Sequence, residues 1–184
     1  MPTLKIVLLG LVAAIGYGIV HDQVTARICV EYFTVGHPRI INSDSPTLLG
    51  LVWGVVATWW VGLPLGALLA LAARAGPWPR LEAADLRAGV LILLVVMGIC
   101  AAASGFIGYE FAVAQQIGFP SVWANGVSPD KQPAFIADWW AHNASYDVGI
   151  IGGVVLCVIT LWRRRRRAGS ADLTSARVPL WPWR

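Results

Sequence analysis

Charge is what this chain has least of. Lys, Arg, Asp and Glu make up 13% of its 184 residues, about half the ~25% of an ordinary soluble domain, while 57% are hydrophobic. A water-soluble globule and intrinsic disorder are both excluded. Cysteine is scarce as well: Cys29, Cys100 and Cys157 are odd in number and form no C-x-x-C, which excludes a disulfide scaffold and argues against quinone-linked thiol exchange. No glycine loop followed by Lys offers a seat for phosphate. Mid-membrane charge is also missing, which disfavours a pump or transporter acting alone, although an oligomer could enclose a polar path.

What remains is apolar sequence in four uncharged runs: 6–20, 45–73, 88–109 and 148–162. A span needs roughly 17 to 25 apolar residues. The second and third runs cross unaided, whereas the first and fourth hold 15 residues each and must recruit polar neighbours. Lys5 can snorkel at one end of the first, so its helix is expected to continue through His21, Asp22 and Gln23. The fourth is stopped by Arg163 to Arg167, so it extends backward through Asp147 toward His142. The fold expected is all-α: a four-transmembrane-helix bundle with a short outer-face interfacial helix. Residues 1–167 form one domain, with spans at about 4–26, 47–73, 87–113 and 141–162, and 168–184 form an unstructured cytoplasmic tail.

Direction follows from the excess of Lys and Arg on the cytoplasmic side. With both termini inside, 11 basic residues lie in cytoplasmic segments, and Arg27, Arg39 and Lys131 lie outside. Seven of the ten carboxylates and all three His then fall at the outer face. An uncleaved first helix fits better than a secretory signal, because no small-x-small site precedes a polar start. Arg163, Arg164, Arg165, Arg166 and Arg167 read as a stop-transfer anchor that attracts anionic lipid, not as a nucleic-acid site.

Small residues four apart recur in every span: Gly10, Ala14 and Gly18; Gly50 with Gly54 and Gly62 with Gly66; Gly98 with Ala102; Gly149 with Gly153. Such spacing permits close helix approach, in a tight bundle or in a homo-oligomer. Pro64 predicts a kink near Leu63, and Trp59 and Trp60 just before it either pack around that kink or line a pocket. Trp123, Trp139, Trp140 and Trp162 fall where an interfacial belt would be. The stretch 25–45 is expected to lie along the interface, and a short helix, 134–142, is expected ahead of the fourth span. The lone outer Cys29 reads as an inert thiol, with an intermolecular disulfide as the alternative. Asn143-Ala144-Ser145 fits a glycosylation acceptor.

The outer layer holds the residues able to do chemistry. The 23 residues from Arg87 to Glu110 span about 34 Å of helix, which brings Glu110 to the depth of His21, Asp22, His142 and Asp147. Asp138 and His142, four apart, share a helix face, whereas His142 and Asp147 point apart. Imidazole with carboxylate suits a divalent metal such as zinc or iron, and a carboxylate can orient a ligating His. The candidate metal ligands are therefore His21, Glu110, Asp138 and His142, holding a divalent ion or a haem. An acid-base enzyme site could use the same residues. The plain alternative is polar helix caps, with Asp22 and Glu110 paired to Arg27 or Arg39. No metal-binding motif matches the spacing.

The run Tyr17-Gly18-Ile19-Val20-His21-Asp22-Gln23-Val24-Thr25-Ala26-Arg27, followed by Glu31-Tyr32-Phe33-Thr34 and Gly36-His37-Pro38, resembles a segment of an uncharacterised bacterial four-helix integral membrane protein family. The resemblance covers about 22 residues and implies a bacterial inner (cell) membrane location, with no activity to carry over. The leading reading is a non-catalytic accessory or assembly subunit that engages the bilayer and either a partner membrane protein or further copies of itself. The alternative is a metal- or haem-binding membrane protein, with enzyme activity left open.

Overall fold

The computed structural model describes residues 1–175, with side chains for residues 1–169. The described residues are all-α: α1 (Pro2–Ile28), α2 (Val30–Thr34), α3 (Pro46–Val56), α4 (Trp59–Arg74), α5 (Ala83–Val113), α6 (Ser121–Ala124) and α7 (Gln132–Ser175). Four helical segments, Pro2–Ile28, Pro46–Arg74, Ala83–Val113 and Gln132–Gly169, are long and apolar enough to cross a bilayer. The chain is a multi-pass membrane protein.

Lipid supplies no hydrophobic force between helices, so α1 is held to α3 and α4 by backbone approach. A Cβ added at Gly18 would lie 2.5 Å from the Gly54 carbonyl oxygen, and one at Gly10 would lie 2.6 Å from the Gly66 Cα. The numbers rise on α1 as they fall on its partner, so the pair is antiparallel, and this seam lies within one chain. Gly98 behaves differently: a Cβ there meets nothing within 4 Å, and Gly98 and Ala102 line a cavity instead of joining helices. On the other side α5 packs antiparallel to α7, with Gly105 against Ala137 and Ala141, and Gly152 against Leu93.

The second span is interrupted, but not where proline predicts. The helix breaks at Ala57–Thr58 and restarts at Trp59, with Pro64 inside α4. The break is held by side chains: Tyr146 donates its hydroxyl to the Ala57 carbonyl at 2.9 Å, and Thr58 donates to the Gly54 carbonyl at 2.5 Å. A freed carbonyl in a span needs such a partner, and Tyr146 supplies it upstream of the proline. Trp59 and Trp60 are 49% and 52% exposed, and the Trp60 ring stacks on that of Tyr146 at 6.2 Å, so it packs beside the break.

The short helix expected at 134–142 is not separate. α7 runs unbroken for 44 residues, about 66 Å at 1.5 Å per residue, more than twice the ~30 Å hydrocarbon thickness. It continues past the arginines to Ser175, into the segment expected to be an unstructured tail; the rest of that tail, 176–184, lies outside the described residues.

Two apolar clusters close the ends of the bundle. One gathers Ile6, Leu69, Ala73, Leu81, Leu86 and Val90. At that end Arg164, 0% exposed, is turned inward, away from lipid. It donates to the carbonyls of Ala72 at 2.6 Å, Pro79 at 2.8 Å, Ala75 at 2.9 Å and Trp78 at 3.0 Å. These are the free carbonyls where α4 ends and the chain turns through Gly76, whose φ of +80° favours glycine. At the other end α2 folds over the bundle, and Tyr32 and Phe33 join Ala26, Cys29, Leu49 and Phe135 in the second cluster. Trp123 joins the rim of that cluster, its ring 5.0 Å from Phe135 and 5.4 Å from Trp139. Cys29 is buried, and burial pushes its thiol up to about 12, which makes it inert.

Candidate metal centre

Beneath that cap α1 and α7 each present a helical face of polar side chains. Tyr17 and His21 are four apart on α1, with Asp22 adjacent; Asp138 and His142 are four apart on α7, followed by Ser145 and Tyr146. The seam that draws α1 against α3 brings these faces together. Tyr17 Oη and Ser145 Oγ lie 2.8 Å apart. The His21 and His142 rings meet edge to face at 4.5 Å, and Tyr17 stacks on His21 at 5.6 Å.

His142 is the pivot. Its Nδ1 lies 2.7 Å from the backbone carbonyl of Asp138. A carbonyl only accepts, so Nδ1 carries the hydrogen and the ring orientation is fixed. Nε2 then points at Asp22 Oδ1, 3.1 Å away. A backbone carbonyl orienting one nitrogen while the other faces a carboxylate is the environment of a ligating imidazole. His21 Nε2 is buried and has no hydrogen-bond partner. One ligand atom from each of His21, Asp22 and His142 lies within 4.8 Å of the others. The 3.1 Å between His142 Nε2 and Asp22 Oδ1 is close to the ~3.3 Å separating two ligands of a tetrahedral ion at about 2.0–2.1 Å bonds.

The four ligands expected from the sequence are thus divided. His21 and His142 come together. Asp138 lies outside the three-residue group, and its backbone carbonyl, not its carboxylate, orients His142. Glu110 is exposed near the end of α5 and outside the group. Asp22, left out of that expected set, is the third member of the group. The expected ion pairs are also replaced: Arg39 pairs with Asp44 at 2.8 Å, and Arg27 donates to Gln23 and to Thr47. Sequence reading also missed Tyr17, Ser145 and Tyr146. Their signal was spacing: Tyr17 is four before His21, and Ser145 and Tyr146 are three and four after His142.

A cavity of about 110 Å³ runs from this cluster into the bundle, past Ala14, Val61, Leu65, Met97 and Gly149. Tyr32 closes the other side, its ring 4.5 Å from His142, and burial raises its phenol above the ordinary range. The third histidine, His37, stands apart in the cap, with Nδ1 2.8 Å from the Tyr32 carbonyl and its ring against Trp53 at 4.8 Å. Burial lowers its affinity for a proton.

Compared with protein-family models, curated proteins and solved structures, the chain matches none, in keeping with a resemblance to a family with no known activity.

Proposed function

We propose that this is a metal-binding membrane protein that holds one divalent first-row ion, zinc or iron, on His21, Asp22 and His142. The observation that carries the reading is His21 Nε2, buried and unpartnered beside a His142–Asp22 pair already at ligand spacing. Leaving a buried nitrogen unsatisfied is costly, and an ion removes that cost. Two imidazoles and one carboxylate suit zinc and non-haem iron, with positions left for water or a substrate oxygen. When bound, the ion would supply Lewis-acid or redox chemistry at the head of an apolar cavity. This chain's own residues would hold Nδ1–H of His142 on the Asp138 carbonyl and keep bulk water out through Tyr32 and Phe33. Haem held between the two imidazoles is disfavoured, since rings meeting edge to face at 4.5 Å leave no room for a porphyrin.

The site is assigned to the outer face of a bacterial inner membrane, with both termini cytoplasmic. The support is the basic-residue count, 11 against 3. Anionic lipid is assigned to the arginine run without Arg164, which is buried. A non-catalytic accessory role, alone or as a homo-oligomer, is what a metal-free protein would support.

Metal analysis decides between them. The detergent-purified protein, prepared without a metal-affinity tag, is expected to hold one zinc or iron per chain. His142→Ala and Asp22→Ala should each weaken binding about 10- to 100-fold or more, and cobalt substitution should give a visible ligand-field band that His21→Ala changes. Wild-type protein with no stoichiometric metal, or an ion retained by all three variants, would refute the assignment.

A further inference from the structure

A second cavity, of about 520 Å³, lies between α1, α5 and α7, within the roughly 300–1,000 Å³ of small-molecule sites. Its α5 wall is built from Gly98, Ala101, Ala102 and Gly105, and its rim includes Val20, Val24 and Phe106. Those three rim residues are exposed on spanning helices, so the mouth opens sideways toward hydrocarbon. A void walled by small residues is not by itself a site. The second observation is Asp138, which lines this cavity, is 0% exposed, and has both carboxyl oxygens without a hydrogen-bond partner. Two of the donors nearby are engaged elsewhere. The Cys29 N–H, which lies beside this carboxyl, donates to the Thr25 carbonyl at 3.0 Å, and the Thr25 hydroxyl donates to the His21 carbonyl at 3.2 Å.

A fully buried carboxyl without a partner calls for one. No Lys or Arg lines the cavity, so an anionic head would meet Asp138 with no countercharge. An ammonium head is matched by this carboxyl only while the carboxyl is ionised, since nothing else charged lines the cavity. A hydroxyl both donates and accepts, and so matches a carboxyl in either protonation state. We propose that this groove binds a neutral, hydroxyl-bearing amphiphile drawn laterally from the bilayer, with its hydroxyl on Asp138 and its chain along Gly98, Ala102 and Phe106. The proposal does not rest on the metal reading, because Asp138 lies outside the His21, Asp22 and His142 group.

The test uses three probes sharing one C18 tail: oleyl alcohol, oleic acid and oleylamine. Each is offered to the full chain in detergent, and bound probe is counted by native mass spectrometry. Wild type is expected to retain one oleyl alcohol per chain, with about tenfold preference over the other two, the scale of one hydrogen bond. Asp138→Leu should abolish that preference. Gly98→Leu should exclude all three, and because a Cβ there meets nothing within 4 Å it fills the groove without displacing a helix. Should Asp138→Leu fail to fold, by circular dichroism and elution volume, Gly98→Leu alone carries the test. Equal retention of the three heads, preference for oleylamine, no retention of oleyl alcohol, or binding indifferent to Gly98→Leu would each overturn the proposal. Loss of metal from His142→Ala with oleyl alcohol still bound would separate this site from the metal centre.

Discussion

Arg164 offers the sharpest test of the fold, since its four neighbours in the arginine run serve as internal controls. Its guanidinium meets four carbonyls, using much of a planar fork that carries five N–H donors. The acceptors differ in what they lose. Ala75 and Pro79 are exposed, so water replaces the arginine there. Ala72 is buried, and its carbonyl would be orphaned in Arg164→Ala at a cost of about 1–3 kcal/mol. Removing a cation from the C-terminal end of α4 adds about 0.3–1 kcal/mol, and the lost packing of the stem brings the expected destabilisation to about 2–4 kcal/mol. Arg164→Lys keeps the charge but offers three donors from one point, too few for four separated carbonyls, so it should fall between alanine and wild type. Equilibrium unfolding in SDS, followed by circular dichroism in mixed micelles, gives the comparison. If Arg164→Ala unfolds at the same SDS fraction as Arg163→Ala or Arg165→Ala, the inward placement of Arg164 is wrong.

Two further predictions concern the site and its cap. Gly18→Ala sets a methyl 2.5 Å from the Gly54 carbonyl oxygen and should cost about 1–3 kcal/mol as α1 is pushed from α3, weakening metal binding because Asp22 moves with α1. Gly16→Ala, which meets nothing within 4 Å, should change neither, and equal effects in the two would refute the seam. His37 titrates below its ordinary 6.5 because of burial. The unfolded chain therefore takes up a proton first on acidification, so the stability that neutral His37 contributes is full above about pH 6.5 and is lost as pH falls through the lowered value. His37→Gln should flatten the decline in SDS resistance over that window, and an unchanged pH profile would show that His37 does not control it.

Which parts of the structure were legible in the sequence follows from what a helix repeat encodes. Depth along a span is encoded in chain length, and the two short apolar runs drew His21 and His142 to one level, where their rings meet. Direction around the helix axis relative to the other helices is not. Glu110 stands near the end of α5 as counted, but on an exposed face. Five consecutive arginines look equivalent until α4 ends beside one of them. The Asp138–His142 spacing did identify partners, yet the backbone carbonyl takes the contact, because i to i+4 places His142 Nδ1 over the preceding turn. The decisive Asp22–His142 pair joins residues 120 apart and depends on the register of α1 set by the glycine seam, which no single segment carries. Pro64 marked a span under strain, but the position of the break depends on Tyr146 reaching Ala57 from another helix.

The two ends of the bundle treat buried polar groups in opposite ways, and that contrast argues for binding at one of them. At the Arg164 end a buried guanidinium finds four acceptors. At the His21 end, among the described residues, the buried side-chain atoms left without partners are His21 Nε2 and both oxygens of Asp138. A chain able to satisfy the harder group, a fully buried cation, is under no general constraint to leave a neutral nitrogen and a carboxyl unpaired. These orphan atoms also face open volume, His21 lining both cavities and Asp138 the larger. Packing defects would scatter over the molecule. Ligating atoms left without protein partners and gathered where two cavities meet are the arrangement a binding site presents.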